Sequence, residues 1–64
     1  MLDNNTYNIM AQLTEENQSL WRIKRNYIPD AKECKECEEY WKKLVQDKEE
    51  HIKDLTGLLN SHMD

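Results

Sequence analysis

A single proline, Pro29, separates two segments that each repeat apolar side chains at helical spacing. Upstream, Ile9, Leu13, Glu16, Leu20, Ile23 and Tyr27 share one stripe, because residues three and four apart lie on one helix face. Downstream, Cys34, Cys37, Trp41, Leu44, Lys48, His51, Leu55 and Leu58 share another. Met10, Trp21 and Ile28 adjoin the first stripe, while Val45, Ile52 and Leu59 flank the second. Both stripes carry ionisable groups near their middle: Glu16 on the first, Lys48 and His51 on the second. Such a chain can bury one stripe against the other by folding back on itself.

The pattern predicts an all-α protein, one domain over residues 1–64, with a helix at about 6–28, a turn at 29–30 and a helix at about 31–61. Asp3, Asn4, Asn5 and Thr6 are all competent N-caps for the first helix. Pro29 is expected to end it, since the residue before a proline avoids the α region and the ring blocks continuation. Asp30-Ala31-Lys32-Glu33 has the form of a capping box for the second helix. Gly57 costs roughly 1 kcal/mol relative to alanine in a helix interior, so the last turn is expected to fray or stop there.

Two long antiparallel helices make a helical hairpin, and a hairpin alone leaves the adjoining stripes in water. Chains shorter than about 70–80 residues rarely obtain more than ~3–5 kcal/mol from one core and add disulfides, metals or oligomerisation. With 64 residues and two cysteines three apart, a disulfide scaffold is ruled out and metal or self-association remains. Two hairpins packed as a four-helix bundle solve the burial problem, so a homodimer or a higher even-numbered oligomer is expected.

The formal charge of −4 gives no electrostatic support for a nucleic-acid partner. Arg22, Lys24 and Arg25 form a basic cluster best read as a solvated face. No apolar run has the length of a membrane span, and no signal-peptide pattern opens the chain. Two free thiols would suit a reducing compartment, so a cytoplasmic location is expected.

The run Trp41-Lys-Lys-Leu-Val-Gln-Asp47-Lys48-Glu49-Glu50-His51, with Glu15 and Glu16 upstream, resembles half of a ferritin-like bundle of the rubrerythrin type. The resemblance covers Leu13 to Leu55 and rests on spacing. It implies a bundle in which one helix supplies a glutamate and the next an aromatic followed by a Glu-x-x-His pair that binds iron. Here the glutamate of that pair is replaced by Lys48, whose protonated amine cannot ligate a cation. The matching ligand types are Glu16 or Glu15 and His51, with Asp47 as a replacement ligand.

Glu16 on an apolar stripe needs an answering group. A buried pair of Glu16 with Lys48 stands ahead of a metal, because the ammonium supplies the positive charge iron would bring. His51 is more often a hydrogen-bonded histidine than a ligand, although two copies of Glu16 and His51 in a dimer could hold iron or zinc. For Cys34 and Cys37, packing ranks first, redox exchange second and zinc third. The favoured reading is a small self-associating, non-catalytic hairpin with a buried Glu–Lys/His polar centre. The alternatives are a metal-binding or redox protein using Glu16, His51 and the cysteines, and an adaptor docking on a partner protein's helices.

Overall fold

The computed structural model describes residues 3–62, so residues 1, 2, 63 and 64 of the expected domain lie outside the described residues. Asp3 caps the first helix, its carboxylate accepting the Thr6 N–H at 2.7 Å. That bond starts α1 (Asn4–Arg22) two residues earlier than expected. The N–H donated by Thr6 also holds the Asp3 carboxyl below its ordinary value.

Pro29 does not end the helix. A π-helical turn, Ile23–Tyr27, follows α1, and a short α2 (Ile28–Asp30) continues through the proline. The Ile28 N–H reaches back five residues to the Ile23 carbonyl. Proline removes one N–H and its ring strikes the carbonyl four residues before it; a wider turn just upstream relieves that clash. Ile28 therefore keeps helical angles, φ −65° and ψ −50°, despite preceding proline.

The expected capping box does not form, because Asp30 is still inside the helix. Ala31 N–H bonds to the carbonyls of Tyr27 and Ile28, and the chain turns over residues 31–34 rather than 29–30. Cys34 then starts the second long helix, α3 (Lys35–His62), four residues later than expected. Its carbonyl accepts the Glu38 N–H at 2.9 Å and its Sγ accepts the Cys37 N–H at 3.2 Å. Gly57 neither frays nor stops α3, which runs through it to His62.

The result is an all-α hairpin with no strand among the described residues. It is a bar of 48 × 16 × 12 Å, two helices thick in one direction and one in the other. Its radius of gyration, 14.5 Å, exceeds the roughly 11 Å of a compact chain this long.

On α1 the seam follows the expected stripe from Ile9 to Ile23: Ile9, Glu16 and Ile23 are buried, with Leu13 and Leu20 half-buried between them, while Thr6 extends it at the start and Tyr27, expected at its end, is exposed. On α3 the seam turns by one position. Glu38, Trp41, Val45, Lys48, Ile52, Leu55 and Leu59 are half-buried, as is Leu44, while Cys34, Cys37, His51 and Leu58 are exposed. Both stripes have the three–four spacing of a two-helix seam and share Trp41, Lys48 and Leu55. The realised one half-buries Val45 and Ile52 and leaves the imidazole of His51 largely in water, which limits its desolvation.

Candidate functional site

The polar centre lies where α1 and α3 pass each other at mid-length. Glu16 is 7 % exposed, and the Lys48 ammonium stands 2.9 Å from its Oε2. The approach lies outside hydrogen-bond angles, so Oε2 is in ionic contact but receives no directed bond. On Oε1, Gln12 Nε2 donates from one helical turn upstream at 3.3 Å, and His51 Nδ1 lies 3.4 Å away. The histidine contact becomes an ion pair only when the imidazole is protonated.

These contacts set the carboxyl's protonation. The neighbouring Lys48 ammonium lowers it most, burial opposes, and Gln12 and His51 add to the lowering, so Glu16 titrates below its ordinary 4.5. Side chains cover the carboxylate, yet only one helix layer separates it from water on either side. Desolvation is therefore partial, and the Lys48 contact outweighs it.

Among the expected site residues, the structure brings together Glu16, Lys48 and His51. Glu15 and Asp47 are exposed, outside this cluster. Among the described residues no three His, Cys, Asp or Glu side chains are grouped as metal ligands. The residues present do not fit a ferritin-type iron pair: the face of Glu16 that would meet a cation is occupied by the Lys48 ammonium. Gln12 lies off the apolar stripes, and its position four residues before Glu16 on one helix face is the signal for it.

A second constellation sits where the connection enters α3. Cys34 and Cys37 are joined as a disulfide, with Cα atoms 5.3 Å apart. This corrects the expectation of free, packed thiols: the pair is oxidised and exposed. The reason is the turned seam, which moves both cysteines off the buried face. Beside them, Tyr27, Asp30, Ala31 and Trp41 complete a cleft of about 480 Å³. Tyr27 and Trp41 form its aromatic wall, ring centroids 5.0 Å apart, with Tyr40 edge-on to Trp41 at 5.5 Å.

The basic cluster is exposed, as read. Lys24 pairs across the hairpin with Glu49 at 3.5 Å, and Arg25 lies 5.0 Å over the Trp21 ring. No described helix is long and apolar enough to cross a membrane. No family model, curated protein or solved structure matches the chain.

Proposed function

We propose that the chain is a self-associating helical hairpin whose working form is a pair of copies joined as a four-helix bundle, with the Glu16–Lys48–His51 centre serving structure rather than catalysis. The observation that carries this reading is uncovered surface. A compact monomer of 7.8 kDa exposes about 4,400 Å², whereas this hairpin exposes 5140 Å². The excess, roughly 700 Å², is close to the ~800 Å² each partner contributes to a standard interface. Only Ile9 and Ile23 are buried hydrophobics among the described residues, while Tyr7, Met10, Trp21, Tyr40 and Leu58 stand exposed.

A second copy suits this surface better than an unrelated helix. Arg22 and Arg25 lie on the same molecule as the net acidic α3, so two copies offer each other opposite charge beyond the Lys24–Glu49 pair each already holds. The test is sedimentation equilibrium together with thermal unfolding over a hundredfold range of concentration. A dimer or higher even-numbered mass, with a midpoint that climbs with concentration, is expected. A folded monomer with a constant midpoint overturns the reading and leaves docking on another protein's helices in its place.

A further inference from the structure

We propose that Cys34–Cys37 is a redox-active disulfide that exchanges with a dithiol peptide, whose apolar, non-acidic residues beside the cysteines dock in the Tyr27–Trp41 cleft. This inference does not depend on self-association. Three features on separate residues converge. The disulfide is exposed at the start of a long helix, so a thiolate can reach it. The Cys37 N–H points at Sγ of Cys34, 3.2 Å away, and would stabilise charge released on that sulfur. An aromatic-walled cleft, far larger than a small dithiol fills, has the same two cysteines in its lining.

Charge selects among substrates. Asp30 lines the cleft beside the pair, and with Glu38 paired to Lys42, Asp30, Glu33 and Glu36 still outnumber Lys32 and Lys35 in the flanking sequence, which disfavours anionic thiols. An apolar or cationic peptide meets no such barrier.

The exchange balances without another reactant. A peptide thiolate attacks Sγ of Cys37 and forms a mixed disulfide, and the electron pair of the broken S–S bond goes to Sγ of Cys34. The peptide's second thiolate then attacks the peptide sulfur of that mixed disulfide, closing the peptide disulfide and releasing the Cys37 thiolate. The two protons lost by the peptide thiols end on Cys34 and Cys37. The peptide is oxidised by two electrons and the protein reduced by two; reduced protein with an oxidised peptide runs the same steps backwards.

The experiment uses the full chain and two synthetic dithiol peptides of equal length, one with leucines beside its cysteines and the other with glutamates. Acid-quenched, alkylated samples are read by mass spectrometry. The leucine peptide should reduce the pair on the order of tenfold faster at low salt. Tyr27→Ala should slow the leucine peptide but not dithiothreitol, and Asp30→Asn, at an exposed position, should narrow the ratio between the peptides. Equal rates for both peptides overturn the proposal. So does Tyr27→Ala slowing dithiothreitol as much as peptide, or a pair that stays alkylatable in oxidising buffer.

Discussion

At position 48 an ammonium occupies a place where the seam spacing asks for a hydrophobe, and its stability effect follows from what it faces. Removing it leaves Glu16 covered with only Gln12 and His51 beside it. Lys48→Ala should therefore lose about 1–3 kcal/mol in urea unfolding, less than the ~3–5 kcal/mol of a deeply buried pair, because this seam is one layer thick. Replacing both partners by leucine should be neutral or stabilising, by up to ~4 kcal/mol. A double variant weaker than wild type would show that the pair contributes more than it costs. Acid reports on the same carboxyl. Because folding lowers the Glu16 pKa, its contribution is complete above 4.5 and disappears as pH falls through the lower folded value. Melting midpoints measured from pH 6 downwards should fall more steeply for wild type than for Glu16→Gln. Parallel curves would remove Glu16 from the account, leaving Asp3, which is shifted in the same direction, as the source of any acid limb.

Among the elements, α1 and its buried stripe were legible because one periodic pattern had no competitor. On α3 two stripes of equal spacing overlapped at Trp41, Lys48 and Leu55, and hydrophobic counting did not separate them. What decided was the cost of covering an imidazole against the gain from covering Ile52, a comparison between residues of different chemistry rather than a period. The centre of the candidate site was readable, since both seams pass through Glu16 and Lys48. The outward turn of the cysteines was not. Neither was the path through Pro29, where a π turn, invisible to local propensity, absorbed the ring. Gly57 offers a clean check on propensity itself. A Cβ built there meets nothing within 4 Å, so Gly57→Ala should stabilise the hairpin by roughly 0.5–1 kcal/mol. No gain in melting midpoint would mean that the end of α3 is already unfolded at the transition.

For the whole molecule, the bar shape is the dominant fact, because a seam between two helices covers one side of each and leaves the others wet. Leu58, half exposed near the end of α3, tests which surface the proposed second copy would cover. Leu58→Glu should preserve the helical signal of the hairpin while weakening association on the order of tenfold, read by sedimentation. An unchanged dimer would place Leu58 outside the interface. The contact between Glu16 and Lys48 also has a consequence for alignment. Slide α3 past α1 by one heptad and the apolar stripes still mesh, but each charge then faces a hydrocarbon neighbour and both go unanswered. The pair thus acts as a key that admits one alignment of two otherwise interchangeable rails. The same key fits when α3 comes from another copy, so a hairpin that opens at residues 31–34 and exchanges its second helix would keep every charge answered. Reversing both charges together preserves the code; reversing one erases it.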